Sequence, residues 1–217
     1  MKQWKRLSLM LTISLVACAP LESKSNNIEG FALYQEGKLE EAIEKYQKAI
    51  ELNPKFAIAY NNLCAALARQ GKFPEAIEQC QKAIELDPKL AMAYNGLCAA
   101  LGRQGKFPEA IEQCQKAIEL DPKSEPPYNN LCYALAGQEK FPEAIEQCQK
   151  AIELDPKSAL AYNNMGAALT GQGRFQEAIT EYQKSLNLDP NQAIVQKNLE
   201  KTYQLMQQQL IQQQLSR

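Results

Sequence analysis

The sequence predicts an all-α protein: a right-handed α-solenoid of five helix–turn–helix units closed by a C-terminal capping helix. Three observations carry this. The stretch KFPEAIEQCQKAIELDPK occupies residues 72–89 and recurs letter for letter at 106–123 and 140–157. Pro54, Pro88, Pro122, Pro156 and Pro190 extend the same spacing of 34 residues in both directions. Within each period the apolar residues fall at helical spacing in two stretches separated by a turn. A fixed period of this length marks stacked units, each of which buries its apolar face only against its neighbours.

The chain opens with Lys2, Lys5 and Arg6, then a mostly apolar run over residues 7–17. That run is shorter than the ~20 residues a helix needs to span a bilayer, so it reads as a secretory signal peptide over residues 1–17. It ends Leu15-Val16-Ala17-Cys18, which resembles the bacterial lipobox. The resemblance implies cleavage before Cys18 and acylation of that cysteine, with each buried methylene holding the membrane by roughly 0.8 kcal/mol. Residues 18–25 are then the lipidated cysteine and its tether, and LESKSNN at 21–27 reads as polar tether. Without the leader the chain has 21 cations against 25 anions, a net charge of −4. Ala19, rather than aspartate, follows the cysteine. By the enteric sorting rule this implies the outer membrane, facing the periplasm, in a bacterial cell envelope.

Five units follow: 23–56, 57–90, 91–124, 125–158 and 159–192. In the second, Tyr60, Leu63, Cys64 and Leu67 share one helix face. Gly71 ends that helix. Pro74 opens the next at a position needing no amide donor, with Glu75 and Glu78 near its positive end. Ala76, Ile77, Cys80, Ala83 and Ile84 form its apolar stripe, and Asp87-Pro88 closes it. These units resemble the tetratricopeptide repeat, best at Tyr162, Met165, Gly166, Leu169, Ala178, Tyr182 and Pro190. In the first unit Asn26 and Glu29 stand where that family is apolar, which suits an exposed terminal helix. In the fourth, Glu139 replaces the turn glycine seen at Gly37, Gly71, Gly105 and Gly173, so its turn differs or Gly137 ends the helix early. Residues 193–217 form the capping helix, with Ile194, Val195, Leu199, Tyr203, Met206 and Leu210 at helical spacing and a solvated Gln-rich tail. The aromatics Tyr60, Tyr94, Tyr128 and Tyr162 read as core.

Two sites of the unit vary together. The first and fifth units pair Gly30 with Tyr46 and Gly166 with Tyr182. The three central units pair Cys64 with Cys80, Cys98 with Cys114 and Cys132 with Cys148. In an antiparallel hairpin both cysteines of a unit stand eight residues, about 12 Å, from the turn. Opposed sites at one level suit a bond that needs Cα atoms ~5.5 Å apart. An oxidising compartment would preserve such bonds, each contributing about 3 kcal/mol in the chain-entropy model. The alternative is six reduced cysteines acting as small buried hydrophobes. A register joining Cys80 to Cys98 and Cys114 to Cys132 would strand Cys64 and Cys148. Two thiolates per level without histidine do not make a metal set.

Asn61, Asn95, Asn129 and Asn163 recur at one site of the first helices, with Asn62, Asn130 and Asn164 at the next and Gly96 as the interruption. The repeat resemblance places this stretch on the concave groove. Asparagine donates and accepts, so a ladder of it can satisfy an extended peptide's backbone; the competing reading has the amides solvated or bonding within the solenoid. The rest of that face is small (Ala65, Ala68, Ala99, Gly102, Ala136, Ala167), and Tyr133 is the aromatic anchor candidate. Arg69 and Arg103, at the far helix ends, read as a solvated rim.

The totals narrow the function. Net charge is −1, so no field recruits nucleic acid. Histidine is absent and no phosphate-cradling glycine loop is present. The expectation is a non-enzymatic, lipid-anchored exported scaffold without cofactor or small-molecule substrate, holding a protein or peptide on its concave face. Resemblance to lipoproteins of this repeat class implies envelope, secretion or pilus assembly. The alternatives are a thiol-redox protein using the paired cysteines and a structural spacer.

Overall fold

The computed structural model describes residues 2–216, with side chains from residue 19 onward. The leader expected over 1–17 and the acylated Cys18 lie outside the residues whose side chains are described. The described residues are helical apart from short turns: α1 (Lys2–Gln35), α2 (Leu39–Leu52), α3 (Ala57–Arg69), α4 (Phe73–Leu86), α5 (Ala91–Arg103), α6 (Phe107–Leu120), α7 (Glu125–Gly137), α8 (Phe141–Leu154), α9 (Ala159–Gly171), α10 (Phe175–Leu188) and α11 (Ala193–Leu215). Two compact units divide the chain, Met1–Ala100 and Leu101–Arg217. In the first, α1 packs on α2, α2 on α3, α3 on α4, and α1 also touches α3. In the second the same pattern runs from α6 to α11, with α7 on α9 and α9 on α11. Odd-numbered helices are thus the first helix of each pair and line up beside one another within a unit.

Each turn has a cause in sequence. Gly37, Gly71, Gly105 and Gly173 hold φ between +78° and +80°, a region that costs other L-residues. The Lys72 amide donates back to the Leu67 carbonyl at 3.0 Å, a Schellman closure. Glu139 adopts the same left-handed conformation with φ of 60°, and Lys140 donates to Leu135 at 3.0 Å. The fourth turn therefore does not differ, and α7 ends in register with α3 and α5. Proline starts α4, α6 and α8. At the closing turns the Asp87, Asp121 and Asp155 carboxylates accept the amides of Lys89, Lys123 and Lys157 at 3.0–3.2 Å, a local bond that competes with further helix.

The core is made of alanine, leucine and sulfur. Ala59, Ala66, Ala76 and Ala83 are fully buried, beside Leu63, Leu67, Cys64 and Cys80, and the other repeats copy them. Small side chains let neighbouring helices approach closely. Tyr60, Tyr94, Tyr128 and Tyr162, expected as core, are half-buried instead. The first three hydroxyls reach the carbonyls of Pro54, Pro88 and Pro122 at 3.2–3.4 Å, so the ring covers the core while the oxygen stays wet.

The ends differ from the middle. Residues 21–27, expected as tether, lie inside α1. Ser23 is fully buried and its hydroxyl donates to Ala49 O at 2.8 Å. Asn26 is buried as well, its amide donating to Glu22 O. Ser25, Glu29 and Ala32 are exposed at the sites where Ala59, Leu63 and Ala66 are buried. That is the polar outer face a terminal repeat requires. On α11, Val195 and Thr202 are the fully buried residues, while Ile194, Tyr203 and Leu210 face solvent. The packing face is thus narrower than the apolar spacing implied.

Candidate functional site

Hairpin geometry brings the cysteines of a repeat together. Cys64 and Cys80 are bonded with Cα atoms 5.4 Å apart, and Cys132 and Cys148 with Cα atoms 5.3 Å apart. Cys98 and Cys114, at the same two sites of the third repeat, are buried and oxidised too. In the terminal repeats a tyrosine fills the equivalent space. A Cβ placed on Gly30 would lie 2.8 Å from the Tyr46 ring, and one on Gly166 would lie 2.8 Å from the Tyr182 ring. The two solutions exclude each other sterically, which explains why the sites change together. Burial, and then the charge of Tyr34, push the Tyr46 hydroxyl up to about 12. Burial also raises Tyr182, against hydrogen bonds from Thr170 and Thr202.

The asparagines bond along the stack. Asn198 donates to Asn163 at 3.2 Å, Asn163 to Asn164 at 3.4 Å, and Asn164 to Asn129 at 2.8 Å. This is a one-way chain of amides running over α11, α9 and α7. In the first unit Asn61 donates to Asn62 at 3.3 Å, and Asn62 to Asn27 at 3.0 Å. Asn95 and Asn130 are engaged as well. Asn61, Asn129, Asn163 and Asn164 are at most 9% exposed, whereas Asn62, Asn95 and Asn130 are half-buried. Sequence reading missed Asn27 and Asn198, although each stands one period from a named asparagine. At Gly96 the row is interrupted, and a Cβ there would come 2.8 Å from Cys80 Sγ.

Tyr133 is 37% exposed. Its ring meets Phe107 edge-on with centroids 6.3 Å apart. The Arg103 guanidinium lies 5.5 Å from its centroid, a cation–π distance. Gly102 brings the backbone of α5 within contact of the ring, and Gly137 makes room for Phe107, where a Cβ would come 2.4 Å from the ring. In the first unit Arg69 lies 5.1 Å over Tyr34 and donates to that residue's carbonyl at 2.9 Å. Both arginines, expected as solvated rim, therefore lie over a tyrosine ring at cation–π distance. Ala65, Ala68 and Ala99 in the first unit, and Gly102, Ala136 and Ala167 in the second, are small side chains on these helices.

A cleft of about 330 Å³ lies among α9, α10 and α11, lined by Ala167, Thr170, Asn198, Lys201, Thr202 and Leu205 among others. The Thr170 hydroxyl meets those of Thr202 at 3.0 Å and Tyr182 at 3.4 Å inside it. Burial raises the Glu125 carboxyl above its usual range, and a hydrogen bond from Ser158 holds it partly down. Among the described residues no group of histidine, cysteine and carboxylate side chains could hold a metal ion. None of the described helices is long and apolar enough to cross a membrane.

Antiparallel helix pairs repeating every 34 residues, with first helices packed side by side within each unit, define a protein-interaction repeat of the all-α class. Family models described as TPR repeat and tetratricopeptide repeat match residues 30–71, then 57–90 and 91–124, then 124–191. The chain belongs to the tetratricopeptide repeat family, a scaffold fold for protein and peptide partners. Solved structures resemble it. A thermophilic TPR protein from Thermus thermophilus is 17% identical over 83% of this chain and 98% of its own, with a TM-score of 0.73. MamA is 27% identical over 76% of this chain and 96% of its own, TM-score 0.60. YrrB, described as a TPR protein with an unusual peptide-binding site, is 22% identical over 79% and 89%, TM-score 0.57. No curated protein matches the chain in sequence.

Proposed function

We propose that this protein is a non-enzymatic scaffold, anchored to the bacterial cell envelope through a lipid on Cys18, whose first helices hold an extended protein segment. The observation that carries the reading is Tyr133: an aromatic on the inner row, fixed by Phe107 and Arg103, with more than a third of its surface open to solvent. Aromatic anchors in fixed pockets dominate binding energies. The asparagines divide the remaining work. Asn62, Asn129, Asn163 and Asn164 bond across adjacent helices and hold them in register. Asn130, half-buried and itself engaged, stands one helical turn before Tyr133, and a bound peptide backbone would share its amide. The described cysteines other than Cys18 are buried and oxidised, which favours a structural over a redox use. Envelope, secretion or pilus assembly is the setting that a lipid anchor and an interaction scaffold together favour.

Crosslinking in membranes of the expressing bacterium tests both halves. The wild type should fractionate with membranes and capture a partner. Cys18→Ser should release the protein to the soluble fraction. Tyr133→Ala with Asn130→Ala should lose the partner while keeping the thermal transition. A partner retained by the double variant would place the binding surface elsewhere, on the outer helices or the Gln-rich tail.

A further inference from the structure

The charges of the repeat are sorted by helix. From the second repeat onward the ion pairs among the described residues lie on or at the start of the second helices: Lys82 with Glu85 on α4, Lys116 with Glu119 on α6, Lys150 with Glu153 on α8, and Arg174, just before α10, with Glu177. In the first repeat Lys45 of α2 pairs with Glu29 of α1. The first helices α3, α5 and α9 carry no acid, while α1 carries Glu22 and Glu29 and α11 carries Glu200. Arg69 is the one charged residue of α3, Arg103 that of α5, and α9 carries none. Glu125 of α7 stands at the opposite end of its helix from Tyr133, half-buried on Ser158. Arg103 makes no ion pair among the described residues; its partner is the face of Tyr133. Arg69 in the other unit repeats the arrangement independently on Tyr34. At the other end of the second unit's inner row, Lys201 of α11 is exposed at the rim of the cleft with Asn198 and Ala167, also without an ion pair among the described residues.

A guanidinium that lies over an aromatic ring and makes no ion pair keeps its forked donors available. Such a pair offers one carboxylate a bidentate seat and the adjoining apolar side chain an aromatic wall. The helices α7, α9 and α11 pack in sequence. At 8–10 Å per helix step, Tyr133 and Lys201 are separated by roughly 16–20 Å. An extended chain covers that in about five or six residues. Resting on the scaffold reading above, we infer that the inner face of the second unit takes an acidic extended segment of a partner protein. One carboxylate sits on Arg103 beside an apolar residue on Tyr133, and a second carboxylate, on Lys201, lies about five or six residues from that apolar residue. The complementarity also selects against basic segments, since like charges on these sites repel.

The test is a displayed library of random ten-residue peptides, selected on the full chain with its disulfides intact. Selected peptides should be enriched in Asp and Glu over Asn and Gln, with one acidic position about five or six residues from an apolar position that has a second acid beside it. A labelled member should lose about tenfold in affinity on Arg103→Gln and again on Lys201→Gln, less on Arg103→Lys, and should weaken as salt rises. Both residues are exposed and lie on different helices, so each variant checks the other. Binders without acidic preference, lost on Tyr133→Ala but unchanged by Arg103→Gln, would overturn the charge assignment and leave the scaffold reading standing. Enrichment of Lys and Arg would overturn it too. A library that yields no binder would remove both.

Discussion

Gln70, Gln104 and Gln138 recur at the end of the first helix in the cysteine-bearing repeats, and each buries a side-chain carbonyl oxygen with no hydrogen-bond donor. In the fifth repeat the equivalent Gln172 accepts from Arg174 Nη1 at 3.2 Å, while the same guanidinium grips Glu177 with its other nitrogens. The difference is one residue, because lysine (Lys72, Lys106, Lys140) fills the Arg174 site in the three cysteine-bearing repeats. A lysine ammonium is a point charge; only the planar fork of arginine can serve two acceptors at once. Lys140→Arg, facing Gln138 and Glu143 as Arg174 faces Gln172 and Glu177, should therefore stabilise the fourth repeat. A new bond to a buried acceptor contributes about 1 kcal/mol, roughly 2–4 °C in a chain of this size. Thermal melting of Lys140→Arg beside the wild type measures it. An unchanged Tm, or a gain retained when Gln138→Ala is added, would show that the buried oxygen is not what the arginine relieves.

At the scale of the helix hairpin, one space between the two helices is filled either by a tyrosine over a glycine or by two bonded sulfurs. The terminal hairpins can therefore be converted into central ones. Gly166→Cys with Tyr182→Cys places thiols at the separation of 16 residues found in Cys64–Cys80. Tyr182→Cys alone removes a buried aromatic and should cost about 3 kcal/mol. The double variant should recover a similar amount by closing a loop of about 15 residues. Thiol titration of the unfolded, unreduced double variant should find neither new cysteine; two free thiols would refute the equivalence. The pairing was legible from sequence because both sites change together and stand equally far from the turn. Boundaries were legible because glycine and proline force them. Glu139 misled because a left-handed φ can be imposed on glutamate when the flanking helices and the Schellman bond already fix the turn. The four tyrosines misled because apolar periodicity reports which face a ring is on, not that its hydroxyl needs a wet partner. The arginines misled because exposure and a ring partner are compatible, and spacing within one helix says nothing of a ring on the next.

For the molecule as a whole, each unit must finish its stack without a further repeat to lean on. The first does so by chemistry at fixed positions, setting Ser25, Glu29 and Ala32 where interior repeats bury apolar groups. The second adds α11, which covers α9 and α10 with Val195, Thr202, Leu199 and Met206. The helix then runs on as residues 207–216, all exposed and all uncharged. Packing and extension are thus separate parts of one helix, and truncation distinguishes them. Deleting 207–217 removes no buried side chain among the described residues and should leave the thermal transition within about 0.5 kcal/mol of the wild type, the usual range for surface changes. Deleting 193–217 removes Thr202, whose hydroxyl meets those of Thr170 and Tyr182. Losing Val195 alone forfeits about 1.5–3 kcal/mol of apolar burial, and a solenoid with an open apolar end associates with itself. The longer deletion should melt at lower temperature and scatter light on heating, with the fifth repeat losing amide-exchange protection first. Equal melting of the two truncations would mean that the fifth repeat stands without its cover, and that α11 is there for something other than stability.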